Sequence, residues 1–135
     1  MLKRNSLILL FAGFIVFSLI SCGAEYNKFI KEYSGEYISS IELKSMIDKN
    51  EVYKLVDLRL IGDYNNGHIQ SAINIPYIKP EALYHFVNKP FLIILYSNID
   101  TIQKNTYMSL AKGGATNVRI LVGGLHSWSY GFVTE

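Results

Sequence analysis

The sequence predicts an α/β domain built on a central, mostly parallel five-stranded sheet with helices on both faces. Strand-like and helix-like segments alternate from Gly35 onward, and such alternation produces parallel pairing through crossover connections. Phe91-Leu92-Ile93-Ile94-Leu95-Tyr96 is an unbroken apolar run, as expected of a central strand covered on both sides. Asn65-Asn66-Gly67 and Gly113-Gly114 supply turn and stop signals between the segments.

Glu36-Tyr37-Ile38 predicts a first short strand. Ser39 or Ser40 is placed to cap the next helix, with Glu42 near its third position, and the helix closes at Asn50. Ile41, Leu43, Met46 and Ile47 are expected on one face of it. Tyr53-Lys54-Leu55-Val56-Asp57 reads as a compact strand ending on a polar residue. Ala72-Ile73-Asn74-Ile75 reads as another, stopped by Pro76. Pro80 stands where a helix would begin, leading Glu81 to Val87 until Lys89-Pro90 ends it. The apolar strand 91–96 follows, and residues from about Asp100 to Lys112 suit a helix stopped by Gly113-Gly114. Asn117 to Val122 supplies the last strand, before Gly123-Gly124 and a short aromatic helix containing Trp128.

The 135 residues allow one such domain and a terminal appendage. Lys3 and Arg4 precede an apolar run from Leu7 to Ile20, broken only by Gly13 and Ser18, and small residues flank Cys22. That is the layout of a secretory signal peptide. At about 14 residues the run is short of the roughly 20 that an uncleaved transmembrane anchor needs. Leu19-Ile20-Ser21-Cys22-Gly23 resembles the lipobox of bacterial lipoproteins. The resemblance implies that residues 1–21 are a cleaved lipoprotein signal peptide. It also implies diacylglycerol on the Cys22 thiol and a fatty acid such as palmitate on its new amine. Two or more chains hold a protein stably on a membrane. Residues 22–34 then form a lipidated tether, and residues 35–135 the folded domain, in the bacterial cell envelope outside the cytoplasm.

Charge narrows the partners further. The chain carries 13 Lys+Arg and 11 Asp+Glu, and cleavage would remove Lys3 and Arg4 while leaving every acidic residue. A near-neutral mature chain without a basic cluster predicts no nucleic-acid partner. Cys22 is the single cysteine, so no intramolecular disulfide is available. His85 and His126 have no partner at metal-ligand spacing, and neither a metal nor a cofactor is expected.

Function in an open parallel sheet gathers at the carboxyl ends of its strands, and two of those ends carry unusual sequence. After the strand ending at Asp57 come Arg59, Asp63-Tyr64, Gly67-His68-Ile69 and Ala72-Ile73-Asn74-Ile75-Pro76. Near the end stand Gly114, Asn117-Val118, Gly123-Gly124 and Trp128. In order and spacing these segments resemble the rhodanese-like family, with its D-x-R, G-H-I, A-x-N-I-P and G-G-x-x-x-W signatures, over about Glu36 to Phe132. Structural roles are expected for them. Asp57 and Arg59 can pair across the strand end and tie down the next loop, Gly67 and the Gly123-Gly124 pair form turns, His68 is hydrogen-bonded, and Trp128 packs in the core.

The resemblance implies a rhodanese-like fold, and a catalytic cysteine directly after the central strand, on a tight loop leading into a helix. There backbone N–H groups cradle an anion and the helix dipole lowers the thiol pKa. The thiolate takes a sulfane sulfur as a persulfide and passes it to an acceptor. A frequent pattern is C-x-x-G-x-R-S. The corresponding stretch here is Ser97-Asn98-Ile99-Asp100-Thr101-Ile102-Gln103. Ser97 takes the nucleophile position, Asp100 the glycine position and Ile102 the arginine position. A serine hydroxyl forms no persulfide, Asp100 puts negative charge where anions should bind, and Ile102 removes a guanidinium. Phosphatases of this fold need the same cysteine and arginine. A serine hydrolase would need a base at Ser97, from His68 or His126, and the loop lacks the G-x-S-x-G elbow.

The leading expectation is therefore a membrane-anchored pseudoenzyme that binds a protein partner or small ligand at the loop 97–103, with no catalytic residue. An alternative is a sulfurtransferase of the thiosulfate type with an atypical loop and a thiol supplied by a partner. A third is a folded spacer whose tyrosines, among them Tyr26, Tyr33, Tyr64 and Tyr130, form a contact surface.

Overall fold

The first strand, β1, is short, Tyr37–Ile38, in a computed structural model that describes residues 35–135. The leader 1–21, Cys22 and the tether 22–34, with Tyr26 and Tyr33, lie outside the described residues. Helix α1, Ser40–Asp48, starts on a reciprocal capping box. The Ser39 Oγ accepts the Glu42 N–H at 3.2 Å, and the Glu42 carboxylate accepts the Ser39 N–H at 2.9 Å. Strand β2 is Tyr53–Asp57, helix α2 is Ile61–Asn65, and β3 is Ile73–Asn74. A 3-10 helix, Pro80–His85, precedes β4, Leu92–Tyr96. Helix α3, Asp100–Lys112, leads to β5, Val118–Leu121, and a 3-10 turn, Gly124–Ser127.

The five strands lie in the order β1-β5-β4-β2-β3, and every neighbouring pair is parallel. The apolar β4 is central and runs in register with β2, from Tyr53 opposite Leu92 to Asp57 opposite Tyr96. Alternate residues feed two cores, which is why this strand carries no polar position. Leu55, Ile94 and Tyr96 join Leu43 of α1 and Trp128. Val56, Ile93 and Leu95 join Leu83 of the 3-10 helix and Leu110 of α3. No helix among the described residues is long and apolar enough to cross a membrane.

Local details depart from expectation. Ile41 is 70 % exposed rather than on the buried face of α1. Leu43, Met46 and Ile47 pack inward, and at 3.6 residues per turn Ile41 lies roughly on the opposite side from Leu43. Residues 80–85 wind as a 3-10 helix, and Trp128 follows the last turn instead of lying within it. Helix α2 was not foreshadowed, and the Asn65-Asn66-Gly67 signal marks its end. Tyr64 is buried instead of exposed: its hydroxyl donates to the Ala72 carbonyl at 2.8 Å and its ring stacks 3.8 Å from that of His68. Tyr130 is 45 % exposed.

Candidate functional site

Because all five strands are parallel, the loops after β2, β4 and β5 open at one edge of the sheet. Asp57 ends β2 fully buried, and Arg59 is nearly so. The Arg59 Nε donates to Asp57 Oδ1 at 3.0 Å, its Nη2 donates to Oδ2 at 2.6 Å, and its own backbone N–H donates to Oδ1 at 2.9 Å. Nη2 also donates to the Gly67 carbonyl at 2.7 Å, carrying the tie across to the end of α2. Burial works against the charge of Arg59, but the hydrogen bonds and charge of Asp57 outweigh it and hold the guanidinium pKa above its usual value. Asn74 Nδ2 adds bonds to the carbonyls of Asp57 and Arg59. Beside them the buried Tyr96 hydroxyl accepts the Ile69 N–H at 3.2 Å. Burial, then the Asp57 carboxylate, push its pKa far up, so it stays a phenol. His68 Nδ1 donates to the Tyr64 carbonyl at 2.9 Å.

Ser97 follows β4 and is 1 % exposed. Its N–H donates to Gln103 Oε1 at 3.1 Å, and its Oγ accepts the Ile99 N–H at 3.3 Å. Its carbonyl accepts the Leu125 N–H at 2.9 Å. Gln103 is equally buried and acts as a clasp: its Nε2 donates to Asp100 Oδ1 at 3.0 Å and to the Leu121 carbonyl at 3.3 Å. The glycine pair after β5 makes this contact possible. Gly124 has φ +53°, and a Cβ there would lie 2.2 Å from the Ser97 carbonyl oxygen. Gly123, at φ +69°, sets up the turn.

The loop carries its own anion. Asp100 sits in the first turn of α3 and pairs with Lys104 at 2.6 Å. The bond from Lys104, assisted by Gln103 and opposed by partial burial, lowers the Asp100 pKa. A resident carboxylate at a helix N-terminus occupies the polarity that a bound anion would use. Asn98, Ile99 and Thr101 are exposed at the mouth. Ile102 turns sideways into a groove of about 320 Å³ between α3 and the 3-10 helix, with Tyr77, Pro80 and Tyr84 on its far wall.

The histidines do not serve Ser97. His126 Nε2 donates to the Asn98 carbonyl at 3.2 Å, and His68 is bonded to Tyr64. The Ser97 hydroxyl is placed against Ile99 and Asn98 Oδ1, so no base is in place to activate it. Among the described residues no cluster of His, Cys, Asp or Glu could hold a metal ion. Sequence reasoning did not single out Gln103 as the clasp, nor Tyr96 and Asn74 in the network around Asp57. No spacing in the sequence marks the clasp, because its bonds run to Ser97, Asp100 and Leu121 across the folded turn.

Similarity to known proteins fits this geometry. The family model for the rhodanese-like domain matches residues 39–130. The chain is 30 % identical over 100 residues to thiosulfate sulfurtransferase GlpE of Shewanella oneidensis, covering 70 % of this chain and 93 % of that one. It is 31 % identical over 132 residues to an uncharacterized protein of Buchnera aphidicola subsp. Schizaphis graminum, covering 92 % and 80 %. Among solved structures, a rhodanese-like domain protein of Staphylococcus aureus superposes with TM-score 0.64 at 22 % identity, covering 74 % of this chain and 98 % of that one.

Proposed function

The chain belongs to the rhodanese-like domain family, and from that premise we propose that it is a lipid-anchored binding module rather than a sulfurtransferase. The observation that carries the reading is the state of the loop at the end of β4. A buried serine stands at the nucleophile position, and the clasp of Gln103 and the carboxylate of Asp100 use the groups that would receive an anion. The exposed remainder, Asn98, Ile99 and Thr101, is then a contact surface for a protein or small ligand. The ties of Asp57, Arg59, Gly67, His68, Gly123 and Gly124 give them structural roles in that reading, and Trp128 joins them through its packing.

The experiment is a thiosulfate:cyanide and thiosulfate:thiol sulfurtransferase assay on the wild type, Ser97→Ala and Ser97→Cys. The expected result is background turnover for all three. Wild-type turnover that Ser97→Ala abolishes overturns the reading. A second reading, sulfur handling with an atypical loop, has one observation in its favour: the relative named as a thiosulfate sulfurtransferase is matched over 93 % of its length. Activity regained by Ser97→Cys alone would select it. Anchoring rests on the sequence around Cys22. Metabolic labelling with a fatty acid, lost in Cys22→Ala, is the expected outcome, and an unlabelled wild type removes the anchor. A pull-down comparing the wild type with a form altered across Asn98 to Gln103 identifies the partner of the loop.

A further inference from the structure

A second site lies away from the loop 97–103 and shares no residue with it. Between α1 and the segment after the last turn is a cleft of about 170 Å³, lined by Lys44, Asp48, Gln70, Trp128, Tyr130 and Phe132 among others. At about 30 Å³ for each water it displaces, that is the room of a small organic head group. Trp128 and Tyr130 meet edge to face with ring centroids 4.9 Å apart, and Trp128 Nε1 donates to the Gly131 carbonyl at 2.8 Å, fixing the bend that presents them. Phe132 is 51 % exposed, so with Tyr130 the chain leaves two large rings open to solvent beside a buried tryptophan. Neither belongs to the two cores described above.

The chain already places a cation here. Lys44 Nζ stands 5.7 Å from the Tyr130 ring centroid, inside the range of a cation–π contact. The same ammonium pairs with Asp48 one turn along α1. The cleft therefore offers aromatic faces, one carboxylate and one ammonium. We propose that it binds a zwitterionic quaternary-ammonium group of the phosphocholine type. The quaternary head takes the place of the Lys44 ammonium over Tyr130 and beside Asp48, and the acidic end pairs with the released Lys44. Charge is matched on both ends, so no ion is left unpaired. Opening the internal pair is easy, because an exposed pair one helical turn apart is among the weakest of ion pairs. A quaternary ammonium is preferred over a primary one because its charge is diffuse and no N–H bonds to water are lost when it meets an aromatic face.

Trp128 is the chain's one tryptophan, so its fluorescence reports the cleft directly. The full chain, in a nonionic detergent, is titrated with phosphocholine, choline and inorganic phosphate. A saturable change with phosphocholine is expected, with inorganic phosphate giving none. Tyr130→Ala weakens binding about tenfold while Tyr130→Phe keeps it. Lys44→Met weakens phosphocholine but strengthens choline, since the competing internal cation is gone. Co-sedimentation with phosphatidylcholine and phosphatidylglycerol vesicles separates the sources. Lipid on Cys22 would insert into both alike, so a Tyr130-dependent excess on phosphatidylcholine assigns the head group to a lipid surface. Saturation by free phosphocholine without that excess assigns it to a soluble or polymer-borne ligand. No saturable response to free phosphocholine and no such excess overturns the proposal, as does Tyr130→Ala binding like the wild type.

Discussion

Gly124→Ala tests whether the end of β5 truly grips the loop after β4. The added Cβ would sit 2.2 Å from the Ser97 carbonyl oxygen and 3.0 Å from Gln103 Oε1, at a residue with φ +53°. Left-handed backbone costs alanine about 1 kcal/mol relative to glycine. Relieving the clash pulls Leu125 N–H from Ser97 and disturbs the Gln103 clasp, each worth about 1 kcal/mol. The sum is about 3 kcal/mol, or a fall in Tm of about 12 °C for a domain of this size. Gly114→Ala is the internal control: its φ is +87°, but a Cβ there meets nothing within 4 Å, so only the backbone cost of about 1 kcal/mol and a shift of about 4 °C are expected. Thermal melts followed by circular dichroism on both variants give the comparison. Equal shifts would refute the idea that contact with Ser97, rather than backbone conformation, requires Gly124.

Arg59→Met leaves the Asp57 carboxylate buried without its partner and should lower stability by about 3–5 kcal/mol in urea titrations, whereas Asp57→Asn/Arg59→Met recovers much of the loss. An Arg59→Met midpoint close to wild type would contradict the described ion pair. The Asp100 pKa is depressed in the folded chain, so its contribution is present above the ordinary carboxylate range and lost as pH falls through the depressed value. Asp100→Asn should accordingly flatten the loss of stability on acidification below about pH 4, and an unchanged profile argues against a resident anion. Ser97→Cys/Asp100→Gly/Ile102→Arg, which replaces the three departures together, should exceed Ser97→Cys in thiosulfate turnover by at least about tenfold, because it restores a thiol, clears the carboxylate and returns a guanidinium. Equal rates would place the block elsewhere, Gln103 first.

Period and punctuation made most of the fold readable. A continuous apolar run has one economical home in an α/β sheet, and β4 took it; Ser39-x-x-Glu42 wrote its own capping box. Helix α2 escaped because five residues hold too little of a 3.6-residue pattern, and Leu60 offers no side-chain cap. Tyr64 was misplaced for a related reason: an aromatic among Asp63, Asn65 and Asn66 looks solvated until α2 folds its ring onto His68. At the site, the identities at 97, 100 and 102 could be read directly, since the sequence itself gives the residue type at each position. The clasp could not, because Gln103 reaches Ser97, Asp100 and Leu121 at once, and only the folded loop brings those atoms within one amide's span.

The Gln103 clasp also bears on reversibility. One amide side chain holds the backbone N–H of Ser97 and, through Asp100 and Leu121, both flanks of the turn. A single exchange of serine for cysteine would set a thiol in a pocket whose donors are already committed, so it gains nothing at once. Removing the clasp first would loosen the turn before any thiol arrived. Neither order of change gains anything at its first step, so a loop fastened in this way couples Ser97 to Gln103 and resists conversion one substitution at a time.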